Sequence, residues 1–320
     1  MTNSNSRPGE FELIAKLFAP LAGEGAFGLK DDAAVIAPSA GCELVVTTDT
    51  IIEGVDFFAN DPADTVAKKA LRVNLSDLAA KGARPLAYLL TLALPEKIGM
   101  DWLENFARGL KEDQEEFGIT LLGGDTSATP GPLSISVTAF GEVPIGKMIR
   151  RNGARPGDLV YVTGTIGDSG GGLSILKGAG DAPELVACYR VPQPRTRLGV
   201  LLCGLASAAL DVSDGLLADL GHIAQVSKVR LIIEAENIPL SSALKSQWGD
   251  NACVRAVTCG DDYEIAFASP AEKQGEILAA AQRAGIAVTC IGRVEAGEGV
   301  ALVDGKGREI PVPSPGYRHF

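Results

Sequence analysis

The chain has 320 residues, of which 46% are hydrophobic and 22% charged, with a formal net charge of −11; this is the profile of a soluble globular protein of two domains. The acidic excess argues against a nucleic-acid partner, because phosphate backbones are held by clustered Lys and Arg. No run approaches the ~18 apolar residues of a membrane span. Six scattered cysteines (Cys42, Cys188, Cys203, Cys253, Cys259 and Cys290) with no C-x-x-C pair read as buried thiols of a reducing cytosol. Only His222 and His319 are present, which disfavours a His-based zinc site or a Ser-His-Asp triad, and His222 is expected to pack within a helix. The opening MTNSNSRPGE lacks the apolar core of a signal peptide, so a cytoplasmic location is expected.

In chain order, Glu10–Phe18 shows helical spacing through Phe11, Ile14, Leu17 and Phe18. Gly23, Gly25 and Gly28 spell a formal G-x-G-x-x-G, but no strand precedes it and no helix follows. That stretch reads as a flexible loop into Asp31-Asp32. Leu44-Val45-Val46 predicts a buried strand ending in Thr47, Thr48 and Asp49, which are hard oxygen ligands on a rigid base suited to magnesium rather than zinc. Asp61-Pro62 marks a helix start and Gly82 its stop. Inside it, Val66, Leu71, Leu75 and Leu78 form a packing face, and Asn74, Asp77 and Lys81 share a polar stripe. A strand over Leu86–Leu94 and an amphipathic helix over Met100–Phe117, stopped by Gly118, come next. Ile119–Leu122 predicts a strand delivering Gly123-Gly124-Asp125-Thr126, where glycine lets backbone approach a ligand. Leu133–Phe140 alternates as a half-buried strand.

The basic turn Arg150–Asp158 suggests a boundary, giving domains 1–149 and 150–320. Arg150 and Arg151 read either as linker charge or as a clamp on an anion. After a strand at Leu159–Val162, the segment Thr163–Gly172 reads either as a phosphate-type loop lacking Walker spacing or as a tight strand-to-helix turn. A helix is expected from Arg195 to about Ser207. Leu210–Leu216 gathers Asp211, Ser213 and Asp214, and Asp261-Asp262 precedes a strand at Ile265–Ala268. A helix over Ala271–Ala284 and a strand over Ala287–Gly292 follow, and the tail SPGYRHF carries an aromatic pair around Arg318 and His319. Mixed strands and helices with hairpin and crossover connections predict an α+β (mixed α/β) chain rather than a doubly wound sheet.

Aspartates therefore recur beside apolar runs at Asp31-Asp32, Asp49, Asp77, Asp125, Asp211/Asp214 and Asp261-Asp262. One such residue is equally well a helix cap or a turn residue. Six such places favour cation binding, and a metal ion reconciles an acidic protein with a phosphate ligand.

The ordered set DDAAV, TTDT–EGVxF, VNLSDLAAxGA, LLGGDT, TGTxGDSxxGL, DVSDGL and GDDYE resembles the thiamine-monophosphate kinases of the aminoimidazole-ribotide synthetase superfamily, over nearly the whole chain. The resemblance implies direct in-line transfer of the ATP γ-phosphoryl to thiamine monophosphate, giving thiamine diphosphate. Consistently, no nucleophile with an adjacent base is found. It implies several magnesium ions, with potassium as a further candidate, and a homodimer whose N-terminal domains share a sheet or barrel. It also implies a nucleotide held between N- and C-terminal domains. Carried over motif by motif, Asp32, Thr47, Thr48, Asp49, Asp77, Asp125, Asp211 and Asp214 match metal ligands. Gly124, Asp125, Arg151 and Ser213 match ATP contacts, and Asp56, Asp261 and Tyr317 match substrate contacts. Two departures stand out: Lys30 replaces a usual Gly, and Asp56 replaces a usual His. Rival readings are a relative acting on selenide, hydrogenase-maturation or purine substrates, or a non-catalytic nucleotide sensor. The first Cys being Cys42 and the last residue being Phe320 count against the first two of these.

Overall fold

The computed structural model describes residues 9–312 and 314–317; the tail residues Arg318, His319 and Phe320 and the first eight residues lie outside the described residues. The chain divides into two compact units, one made of the chain through Leu78 with Arg84–Ile145, the other of Ala79–Ala83 with the chain from Gly146 onward.

In the first unit the elements are β1 (Cys42–Ile52), α1 (Ala63–Ala80), β2 (Arg84–Leu94), α2 (Met100–Phe117), β3 (Thr120–Ala128) and β4 (Ser134–Pro144). The sheet runs β1-β4-β2-β3, antiparallel except for the parallel β2/β3 pair. Strand alternation sets the faces. Ile135, Val137 and Ala139 of β4 and Tyr88, Leu90 and Leu92 of β2 are buried on one side. The helices cover that side, with Leu71, Leu75 and Leu78 of α1 and Leu103, Phe106 and Leu110 of α2 fully buried. Gln114 of α2 donates to the Tyr88 hydroxyl at 3.1 Å. The two helices are locked by Arg72, which bonds both oxygens of buried Asp113 at 2.9 and 2.8 Å. α2 stops where Gly118 takes φ +66°, a left-handed cap that costs glycine nothing.

The entry segment departs from its expected form. Glu10–Leu13 is α-helical, but Ile14–Phe18 widens to a π turn. The extra residue re-phases the apolar stripe, so Leu13, Leu17 and Phe18 are buried while Phe11 is 84% exposed. The glycine stretch is packed at Gly23 and Gly25, where a Cβ would meet the Thr120 hydroxyl at 2.4 Å and the Val35 carbonyl oxygen at 2.0 Å, and open at Gly28.

The second unit contains β5 (Asp158–Thr163), α3 (Asp168–Leu176), α4 (Pro183–Arg190), β6 (Ala208–Asp211), α5 (Leu216–Ser227), β7 (Arg230–Glu234), α6 (Ser242–Trp248), β8 (Ile265–Pro270), α7 (Gln274–Ala284), β9 (Val288–Glu295) and β10 (Gly299–Val303). Its sheet is ordered β10-β7-β9-β5-β8-β6, antiparallel except for β10/β7. Val160, Leu210, Leu231 and Ile233 pack on one face with Leu220 and Ile223 of α5. Tyr161 and Phe267 stack at 5.1 Å on the other, among Ile277 and Ala280 of α7 and the α1 residues Ala79 and Ala80. Both sheets mix strand directions, so the α+β expectation holds.

The helix expected from Arg195 is shorter, ending with the single turns Thr196–Gly199 and Val200–Leu202. Winding stops where Cys203 leaves helical backbone at ψ 120° and Gly204 turns at φ +79°. His222 is exposed on α5, because the buried stripe of that helix is Leu216, Leu217, Leu220, Ile223 and Ala224. All six cysteines are free, Cys188 is exposed and the others are half-buried rather than buried. Cys42 begins β1, and Cys188 lies on the exposed side of α4.

Candidate active site

The first unit places its acidic residues on two faces of one sheet. Along β1, Thr47 and Asp49 share the helix-side face with buried Val45 and Ile51, Thr47 half-buried and Asp49 still reached by solvent, whereas Val46, Thr48 and Thr50 point the other way and are exposed. Asp77, one helical turn beyond Asn74 on α1, accepts a 2.5 Å hydrogen bond from the Thr47 hydroxyl. Burial, then the Asp77 charge and a shared hydrogen bond, then Asp56, push the Asp49 carboxyl up from 3.8 to about 7. Two carboxylates crowded in this way share a proton or a cation.

Asp56 closes the turn that follows β1. Its Oδ2 accepts the Ile52 N–H at 2.8 Å, and its own N–H donates to the Ile52 carbonyl at 2.9 Å. Lys69 of α1, 2% exposed, donates to the Asp56 carbonyl at 2.8 Å.

On the opposite face, Thr48 donates to the Val137 carbonyl and meets the Thr138 hydroxyl, both at 3.1 Å. Asp125 on β3 pairs in register with Thr91 and is exposed. Asp125, Asp31, Asp32 and Thr138 line a cavity of about 590 Å³ whose apolar walls include Phe18, Leu29 and Phe140. Gly124 faces a neighbouring strand: a Cβ there would meet the Leu90 carbonyl oxygen at 1.7 Å. Its lack of a side chain thus serves strand pairing at the β2/β3 bulge.

In the second unit, β6 ends at Asp211, 6% exposed, and the chain turns through Ser213 and Asp214 into α5. That turn is held by Asp219 in the first turn of α5, whose Oδ2 accepts the N–H groups of Ser213, Asp214 and Gly215 at 3.0, 3.0 and 3.1 Å. Burial first, and then the Asp214 charge against these three hydrogen bonds, push its carboxyl up to about 7. Around the same turn, Asp261, at φ +69°, donates its N–H to the Ser213 carbonyl, and Tyr317 donates its own to the Asp214 carbonyl. Tyr263 adds its hydroxyl to Asp261 at 3.2 Å. Ser213, Asp214, Asp261 and Tyr317 are therefore gathered together, while Arg151 is exposed next to Arg150, whose carbonyl accepts from Ala209 of β6.

Thr163–Gly172 proves to be the tight strand-to-helix turn. The first N–H groups of α3 are taken by Asp262, which accepts from Gly167 at 2.7 Å and Ser169 at 3.4 Å, and burial raises its pKa well above the usual range. Gly172 lies where a Cβ would meet the Leu185 carbonyl oxygen at 2.1 Å. These glycines serve packing.

Asp219 and Lys69 escaped the sequence reading, whereas Asp262, expected with Asp261 among the cation-binding places, is engaged by the N–H groups of Gly167 and Ser169. Asp219 carries a legible signal, an acid in the first turn of a helix after a glycine. Lys69 interrupts a run of buried apolar positions, which marks a charge with a job.

Among the described residues, no group of three or more His, Cys, Asp or Glu side chains converges to hold a metal ion. The Thr47, Asp49 and Asp77 set fits a hard divalent cation in its donor chemistry, as an oxygen-only partial shell that phosphate oxygens and water complete.

The model of the AIR synthase related protein N-terminal domain matches residues 30–143, and that of the C-terminal domain matches residues 155–305. The thiamine-monophosphate kinase of Caulobacter vibrioides is 43% identical, over 98% of this chain and 91% of its own. The chain belongs to the thiamine-monophosphate kinase family. A crystal structure of the thiamine-monophosphate kinase from Stenotrophomonas maltophilia K279a superposes with a TM-score of 0.84 at 40% identity, covering 94% of this chain and 98% of that one. A second thiamine-monophosphate kinase structure, AaThiL complexed with AMPPCP and TMP, gives 0.79 at 33% identity, covering 98% and 99%.

Proposed function

We propose that this protein is an ATP-dependent kinase that phosphorylates thiamine monophosphate to thiamine diphosphate. The similarity to thiamine-monophosphate kinases along 98% of the chain carries this reading. The rival substrates within the superfamily have no comparable support.

The chemistry asks for positioning and charge neutralisation. An oxygen of the acceptor phosphate attacks the γ-phosphorus of ATP in line, the bond to the β-phosphate bridging oxygen breaks, and ADP leaves. No covalent nucleophile is required. The residues proposed to hold magnesium are Asp32, Thr47, Thr48, Asp49, Asp77 and Asp125 in the first unit, and Asp211 and Asp214 in the second. When bound, magnesium neutralises charge on the triphosphate and the acceptor. Thr47 orients Asp77 toward Asp49. Gly124, Asp125, Arg151 and Ser213 are proposed ATP contacts, and Asp56, Asp261 and Tyr317 substrate contacts. Asp56 acts there through the turn it closes, because its carboxylate is committed to the Ile52 N–H. Potassium is the monovalent-cation candidate.

A homodimer and a cytoplasmic location belong to the same proposal. The dimer is supported by β1, an 11-residue strand at the edge of its sheet with Val46 56% exposed at its middle. No helix among the described residues is long and apolar enough to cross a membrane.

The deciding experiment incubates the protein with ATP, magnesium and thiamine monophosphate and follows thiamine diphosphate by chromatography. Free thiamine and aminoimidazole-ribotide precursors run as parallel acceptors. Diphosphate formed from the monophosphate alone is the expected result; retained ATP without product would overturn the acceptor assignment.

A further inference from the structure

We infer that Lys69 is a positioning residue for the acceptor side of the reaction, acting through the turn that joins β1 to the start of α1. Thiamine monophosphate as acceptor rests on the reading above; the mechanical part of the inference does not.

The first observation is where Lys69 sits. It lies on α1 among Val66, Ala67, Ala70 and Val73, each no more than 3% exposed, and is itself 2% exposed. An ammonium is costly to bury without partners, and a Leu or Met would fill such a place at no electrostatic cost. Its Nζ donates to the Asp56 carbonyl at 2.8 Å. The buried charge therefore meets a backbone group of one particular turn.

The second observation is the construction of that turn. Val55 and Asp56 both donate their N–H groups to the Ile52 carbonyl, at 3.0 and 2.9 Å, and Gly54 donates to the Phe57 carbonyl at 2.8 Å. The Asp56 carboxylate returns to the Ile52 N–H. Carboxylate and ammonium thus grip the turn from opposite ends, the side chain of Asp56 binding its start and Lys69 binding its outgoing carbonyl.

The third observation is what the turn carries. Ile52 is three residues beyond Asp49 on one rigid strand, and Asp56 lies close enough to contribute to the field on Asp49. The same helix that supplies Lys69 supplies Asp77, eight positions on, to the Thr47 and Asp49 side. Lys69 thereby ties the turn to the helix bearing the carboxylate partner. A loosened turn would misplace acceptor contacts while leaving the cavity lined by Asp32 and Asp125 intact.

The test compares wild type, Lys69→Met and Lys69→Arg by hydrogen exchange over Ile52–Phe57 and by steady-state kinetics in both substrates. For Lys69→Met the expectation is faster exchange confined to this turn, and a KM for thiamine monophosphate raised about tenfold, the scale on which supporting partners of a site act. The KM for ATP should stay within about twofold. Lys69→Arg, which restores a buried donor, should recover most of the acceptor KM. Unchanged exchange in the turn, or equal shifts in both KM values, would overturn the inference. If Lys69→Met does not fold, Lys69→Gln, too short to reach the Asp56 carbonyl, takes its place: an acceptor KM raised without a change for ATP supports the inference, and kinetics and exchange identical to wild type refute it. If wild type itself transfers nothing to thiamine monophosphate, the acceptor reading has failed, and the exchange data judge Lys69 alone.

Discussion

Asp49 and Asp77 are held within reach of each other by Thr47, and the Asp49 carboxyl is pushed up from 3.8 to about 7 by burial and by this neighbour. The folded chain then keeps a proton across a pH range in which the unfolded chain has lost it. The associated stability is complete below the unfolded value and disappears as pH rises through about 7. A divalent cation competes for the same oxygens, so it binds best where the proton has left. Magnesium should therefore raise the melting temperature more at about pH 8 than at about pH 5.5, as read by thermal unfolding with and without the ion. Asp77→Asn should abolish that difference, and a magnesium shift independent of pH would count against the pair as a cation site. Part of this arrangement was legible: a strand through Leu44-Val45-Val46 was expected, but it runs on to Ile52 instead of ending at Asp49, and Val46 is exposed, since only the odd-numbered face turns toward the helices. Period-2 alternation sends Thr48 to the other face, so three adjacent residues never formed one shell. The commitment of Asp56 to Ile52 could not be read, because it depends on how a turn closes in space.

At the scale of elements, α1 and α2 are joined by an ion pair that side-chain periodicity does not reveal. Arg72 and Asp113 are 3% and 0% exposed, and Arg72 also reaches Glu116 and lies over the Phe117 ring at 5.0 Å. Removing Asp113 takes from the buried guanidinium its buried, two-bonded carboxylate and leaves it the more exposed Glu116. Asp113→Ala should cost on the order of 3–5 kcal/mol in urea unfolding, whereas Arg72→Met combined with Asp113→Leu should cost much less than the sum of the single changes. Additive losses would mean that the pair is not coupled. α2 itself was fully legible, from its apolar stripe to the Gly118 stop. By contrast β10, five residues long, gains its identity from pairing with distant β7, and nothing local announces it. The helix expected from Arg195 ends early at Leu202, where Cys203 turns extended and Gly204 adopts a left-handed φ of +79°.

At the scale of the whole molecule, the long β1 edge is the feature that asks for a second copy. Val46 is 56% exposed between Thr48 and the buried Val45, on a strand whose outer hydrogen-bonding edge has no neighbour within the sheet order β1-β4-β2-β3. Val46→Lys should move the protein from dimer to monomer in sedimentation equilibrium with little change in the fold; a dimer unaffected by the charge would place the interface elsewhere. A different consequence follows from the helix that begins in one unit and ends in the other. Residues Ala79–Ala83 belong with the chain from Gly146 onward, where Gly82 fits against Cys203 and Ala79 against Gly199. A truncation beginning at Gly146 would thus leave an open slot in the core it hopes to isolate, lined by Leu198, Leu202 and Ile149. The compact units are therefore not the two halves of the sequence, and a peptide spanning 79–83 is the missing piece that such a C-terminal half would have to borrow back.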